Sequence, residues 1–76
     1  MIKVLFFAGL KETAETGSIS VDMNGRSLGD LKKAVEEQFS LQLGSVMAAV
    51  NEEFADDDTI LEAGDTVAFI PPVSGG

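Results

Sequence analysis

The sequence closes on Pro71-Pro72-Val73-Ser74-Gly75-Gly76, and Gly75 and Gly76 are the residues best placed for chemistry. A terminal glycine pair contributes little to a fold, because glycine loses more backbone entropy on ordering than any other residue. It does leave an α-carboxylate on the slimmest possible backbone, with no side chain for two residues behind it. Such an end can thread a narrow active site and be activated there as an acyl group. The dipeptide alone fits a reactive end and a frayed or cloning-derived terminus equally.

Other sources of chemistry are scarce. The chain contains no cysteine, so disulfides, cysteine-ligated metals, iron–sulfur clusters and thiol nucleophiles are excluded together. It contains no histidine, the usual general base and the commonest metal ligand. Asp56-Asp57-Asp58 offers oxygen ligands for a hard cation, but three consecutive acids need a shaped loop to converge and no Asp-x-Asp-x-Asp-Gly pattern is present. We read it as a solvated loop with no metal. Glu36-Glu37 and Glu52-Glu53 likewise read as solvating pairs rather than acid–base machinery. No glycine-rich run matches a nucleotide-binding pattern, so any ATP the tail requires is held by a partner.

The 76 residues make one small domain. At this size folding buries only roughly 60–65% of the surface that the unfolded chain exposes. Thirteen acidic and five basic residues give a net charge of -8, which repels nucleic acid and favours encounter with basic protein surfaces. The apolar run after Met1 is too short for a signal peptide, and no stretch has membrane-spanning length. The expectation is a soluble, cytoplasmic protein.

Elements follow from patterning. Ile2 to Ala8 is a nearly uninterrupted apolar, β-branched and aromatic run, which predicts a central strand covered on both faces and broken by Gly9. The polar segment 10–17 predicts a turn-prone stretch with at most one helical turn. Ser18 to Asp22 alternates as a half-exposed strand does, and Asn24-Gly25 marks a turn. Ser27 and Asp30 form a helix-start signature in which the acid reaches back toward the cap, and Leu28, Leu31, Val35, Gln38 and Phe39 follow helical spacing. One amphipathic helix over residues 28–39 results, with Lys32, Lys33, Glu36 and Glu37 on its wet side. Val46 to Val50 reads as a strand, Asn51-Glu52-Glu53 as a turn, Ile60 and Leu61 as core anchors, and Ala63-Gly64-Asp65 as a second turn. Thr66 to Ile70 is the final strand, stopped by Pro71.

One helix covering one face of a mixed four- or five-stranded sheet gives a two-layer α+β domain of β-grasp, or ubiquitin-like, form. The first and last strands are the most apolar and are expected side by side at its centre. Any one of Phe7, Phe54 and Ile70 fits a core position. Yet a single helix shields a single face, and an apolar patch left on the other marks a partner surface.

Three stretches carry a family resemblance: Met1-Ile2-Lys3-Val4-Leu5-Phe6-Phe7-Ala8 with Lys11-Glu12; Ala48-Ala49-Val50-Asn51; and Gly64-Asp65-x-Val67-Ala68-Phe69-x-Pro71-Pro72-Val73-Ser74-Gly75-Gly76. Together they resemble the small subunits of molybdopterin synthase, the ubiquitin-like sulfur carriers of molybdenum cofactor synthesis. The likeness covers nearly the whole chain, with a compact stretch between Gly9 and Ser27 and a short Leu41–Gly44 loop as its departures. It implies a sulfur-carrier domain over residues 1–72 and a flexible tail over 73–76. A ubiquitin-activating-like adenylating enzyme would use ATP and Mg²⁺ to activate Gly76, which would then carry a thiocarboxylate. The loaded carrier would dock on the large catalytic subunit, in a heterotetramer, and donate sulfur to cyclic pyranopterin monophosphate. Gly75 would let the backbone pass where a Cβ would clash, and Pro71 and Pro72 would stiffen the root of the tail. Val73, Ser74, Gly75 and Gly76 together reach about 14 Å when extended. Phe7, Phe54 and Ile70 would form the docking patch. The alternatives are a carrier of the thiamine or tRNA-thiolation type, a covalent protein modifier, and an interaction domain without terminal chemistry.

Overall fold

A computed structural model describes residues 1–44 and 46–71. Ser45 and the tail residues Pro72, Val73, Ser74, Gly75 and Gly76 lie outside the described residues, and with them the expected division at residue 72. The elements are β1 (Ile2–Phe6), α1 (Ala8–Ala14), β2 (Ser18–Val21), α2 (Leu28–Phe39), β3 (Met47–Val50), β4 (Glu53–Phe54) and β5 (Thr66–Ile70). The strands form one sheet in the order β2-β1-β5-β3-β4, with β1 and β5 parallel and every other pair antiparallel. With α2 lying on one face, this is the β-grasp arrangement, and its central pair is the one expected from the apolar content of the two terminal strands.

Strand alternation builds the core. Ile2, Val4 and Phe6 of β1, Val67 and Phe69 of β5 and Ala48 of β3 meet Leu28, Leu31 and Val35 of α2. Phe6 anchors this layer through an edge contact with Phe39 and a stacked contact with Phe69, at centroid distances of 5.6 and 6.3 Å. α2 keeps the expected bounds because its start is capped: the Ser27 hydroxyl accepts from the Asp30 N–H at 3.1 Å. The Asp30 carboxylate does not reach back to the cap. It pairs with Arg26 Nε one turn away, at 3.2 Å.

Five expectations are corrected. β1 is covered on one face only: Lys3 is exposed and Leu5 half-buried on the other. It ends at Phe6, and the chain turns not at Gly9 but at Ala8, whose φ of 51° lies in the left-handed region. Ala8–Ala14 is a seven-residue helix, about two turns, where the polar segment 10–17 was expected to be turn-prone with one helical turn. Ile60 is 59% exposed, so Leu61 alone anchors that loop. Glu36 is not simply on the wet side, since its Oε2 accepts from the Leu43 N–H at 2.7 Å. That bond ties down a loop whose Leu41 and Leu43 are buried in the core.

Candidate functional site

The sheet face away from α2 carries an open groove of about 560 Å³. Its floor follows from register. Leu5 pairs with Ala68, Ala68 with Ala49, and Ala49 with Phe54, so one row of same-face residues crosses four strands. Two alanines at the centre of that row leave a hollow, and the larger Leu5, Phe7, Phe54 and Ile70 stand around it. Phe7, Phe54 and Ile70 are 46%, 67% and 37% exposed, so none of the three is a core residue. Phe7 sits at the junction after β1 with extended backbone, φ −127° and ψ 154°. Adjacent strand residues face opposite ways, so the burial of Phe6 dictates the exposure of Phe7.

The end of the groove at the start of β5 is polar. Asn51 and Glu52 form the two-residue turn between β3 and β4, with φ of 51° and 71°. Both are left-handed, as this tightest class of hairpin requires; asparagine tolerates the region and glutamate does so less readily. Asn51 is fixed on three sides. Its backbone N–H donates to the Thr66 carbonyl at 2.8 Å. Its side-chain Oδ1 accepts from the Thr66 N–H at 3.0 Å, and its Nδ2 donates to Asp65 Oδ1 at 2.9 Å. The other Asp65 oxygen accepts from the Glu62 N–H at 2.9 Å. The Glu62 N–H, followed by the Asn51 amide, holds the Asp65 carboxyl below its ordinary value of 3.8. A lowered carboxylate contributes stability that is fully present above the unfolded value and is lost as pH falls through the folded one. Neither Asn51 nor Asp65 stood out as a site residue in the sequence; the Asn-x-Glu turn pattern was visible, but its partner 14 residues on was not.

The opposite end of the groove, at Phe7 and Ile70, is where β5 gives way to half-buried Pro71, the last described residue. Pro72, Val73, Ser74, Gly75 and Gly76 follow in sequence and lie outside the described residues. Thr66 to Ile70 spans about 13 Å of extended strand, so the polar network and the root of the tail sit at opposite ends of one site. Among the described residues no group of three or more acids is gathered to hold a metal ion. Asp57 is occupied structurally: its Oδ1 accepts from Lys32 Nζ at 2.6 Å and its backbone carbonyl from the Gly29 N–H at 2.9 Å, docking the loop on α2. No helix among the described residues is long and apolar enough to cross a membrane.

Residues 4–76 match the ThiS family. The chain is similar to the molybdopterin synthase sulfur carrier subunit of Escherichia coli (strain K12), 38% identical over 81 aligned positions that span all of both chains. It is similar in structure to a chain of the complex between subunits 1 and 2 of the molybdopterin-converting factor from Helicobacter pylori 26695. There the TM-score is 0.74 and the identity 28%, with 99% of this chain and 97% of that one covered. SAMP1 of Haloferax volcanii, a small archaeal modifier protein, is similar at a TM-score of 0.78 and 26% identity, over 99% of this chain and 98% of that one.

Proposed function

The chain belongs to the ThiS family, among the molybdopterin synthase sulfur carrier subunits, and on that premise we propose that it carries sulfur as a thiocarboxylate on Gly76 for dithiolene synthesis. The observation that carries this reading is that a strand lining the groove is the one the tail follows in sequence. Central strand β5 supplies Thr66, Ala68 and Ile70 to the groove and then runs into Pro71 and the Gly-Gly ending. A partner seated on the groove thereby lies beside Ile70, six residues before Gly76 in sequence.

In this mechanism an adenylating partner holds ATP and Mg²⁺. A Gly76 carboxylate oxygen attacks the α-phosphorus, pyrophosphate leaves, and the acyl-adenylate becomes the electrophile. Sulfur delivered by a donor displaces AMP and leaves the thiocarboxylate. The loaded carrier then docks on the large subunit through Phe7, Phe54 and Ile70, and the tail passes its sulfur to cyclic pyranopterin monophosphate. Water then cleaves the acyl–sulfur bond, leaving the sulfur on the substrate and a carboxylate at Gly76, and because a dithiolene needs two sulfurs the cycle runs twice. Pro71 and Pro72 restrict the tail before binding and so lower the entropy lost on insertion. The fold contributes presentation and the partners contribute catalysis, all in the cytoplasm. The Helicobacter pylori complex pairs a similar chain with a second subunit, which supports the docking half of the proposal.

Likeness to SAMP1 favours one second reading, in which Gly76 forms isopeptide bonds to lysines of other proteins. Mass spectrometry of the chain purified from its own cells separates the two. A carrier shows a fraction heavier by the difference between sulfur and oxygen, localised to the C-terminal peptide. A modifier instead leaves branched Gly-Gly remnants on lysines of other proteins, and finding only those would sink the carrier reading.

A further inference from the structure

We infer that Asn51 and Asp65 are positioning residues of the groove, setting where Phe54 stands by pinning the β3–β4 hairpin to the start of β5. The inference rests on the groove being the docking face for the large subunit.

Phe54 is one of only two residues in β4, at the edge of the sheet, and is the most exposed aromatic among the described residues. Nothing lies beyond β4 in the sheet to hold it. A two-residue edge strand is a weak platform, since short hairpins are marginal on their own. Its position is therefore governed by the turn before it. That turn is fastened by the two-way exchange between Asn51 and Thr66 and by the Asn51 amide on Asp65.

Asp65 is in turn fastened twice more. Its own N–H donates to the Glu62 carbonyl at 3.0 Å, and its carbonyl accepts from the Lys3 N–H at 3.0 Å. The hairpin is thus referenced to β1 and β5, the strands that carry Leu5, Ala68 and Ile70. The carboxylate also fixes which way the Asn51 amide faces. With Nδ2 directed at Asp65, Oδ1 is left for Thr66; the reversed amide would put oxygen against carboxylate and N–H against N–H. Two N–H donors, from Asn51 and Glu62, point at Asp65, and only a carboxylate offers each an acceptor oxygen.

Binding of purified large subunit tests this by a double-mutant cycle on the full chain. Asn51→Gly removes the amide while leaving the left-handed backbone unstrained, and Phe54→Ala removes the side chain that it positions. If Asn51 acts through Phe54, Asn51→Gly weakens binding roughly threefold to tenfold in the wild-type background and less than twofold beside Phe54→Ala. Asp65→Asn, which offers one acceptor to two donors, should follow the same pattern and stands in if Asn51→Gly fails to fold. In nuclear Overhauser spectra, contacts between Phe54 and Ala49 should weaken in Asn51→Gly while those between Phe6 and Phe69 persist. Equal losses in both backgrounds, or none in the wild-type background while Phe54→Ala weakens binding, overturn the positioning role alone. Undiminished binding by Phe54→Ala overturns the docking reading, and the inference with it.

Discussion

Phe6 and Phe7 are neighbours of the same type with opposite fates. Phe6 packs against Phe39 and Phe69 under α2, whereas Phe7 opens onto the groove. Phe6→Ala should destabilise the domain by about 3–5 kcal/mol, a large fraction of what a chain this small can have. Phe7→Arg or Phe54→Arg removes little buried contact, so each should leave the melting temperature nearly unchanged and weaken binding to the large subunit at least tenfold. Calorimetric melting and binding titration on the same preparations check both halves. If the arginine variants melt early and bind normally, the groove residues are structural. Residue patterning alone fits each of Phe7, Phe54 and Ile70 to a core position, although one helix cannot shield both faces, and it was the family resemblance that implied a docking patch of all three. Asn51 and Asp65 were not legible as site residues, because a hydrogen bond across 14 residues leaves no local periodicity to detect.

Among the elements, α2 was legible to the residue and α1 was not, for physical reasons. α2 carries a side-chain cap at Ser27, an acid in its first turn and an apolar stripe. α1 has none of these: its N-cap is Phe7, without a side-chain cap bond, and its entry depends on the left-handed Ala8. The loop after α2 hid in the same way, because a long-range bond from Glu36 holds Leu41 and Leu43 inward. The β3–β4 turn offers a direct test of element-level strain. Asn-Gly suits a turn with two left-handed residues better than the Asn51-Glu52 present. Glu52→Gly should therefore stabilise the domain by about 0.5–1 kcal/mol, raising its melting temperature by a few degrees. A lower melting temperature would mean that the lost glutamate makes contacts outweighing the relieved backbone strain.

At the scale of the whole molecule, the described residues build a platform, and the end proposed to react follows them in sequence. The net charge of -8 discourages nucleic acid, the core lies under α2, and the opposite face is left apolar around Ala49 and Ala68. The fold class and central strand pair could be read from pattern alone, because the two most apolar strands belong at the centre of a sheet. The one-sided burial of β1 could not, since its continuous apolar run hides which residues face a helix and which face a partner. Gly75 and Gly76 were singled out by chemistry that folding does not need, and the resemblance named that chemistry. The most direct test is a single-turnover reaction. The chain is labelled with radioactive sulfur in its Gly76 thiocarboxylate and mixed with the large subunit and cyclic pyranopterin monophosphate. The expected result is label leaving the chain and appearing in the dithiolene product, with none transferred by a chain lacking Gly76. Label retained on the chain, or product formed equally well by the truncated form, would contradict the account.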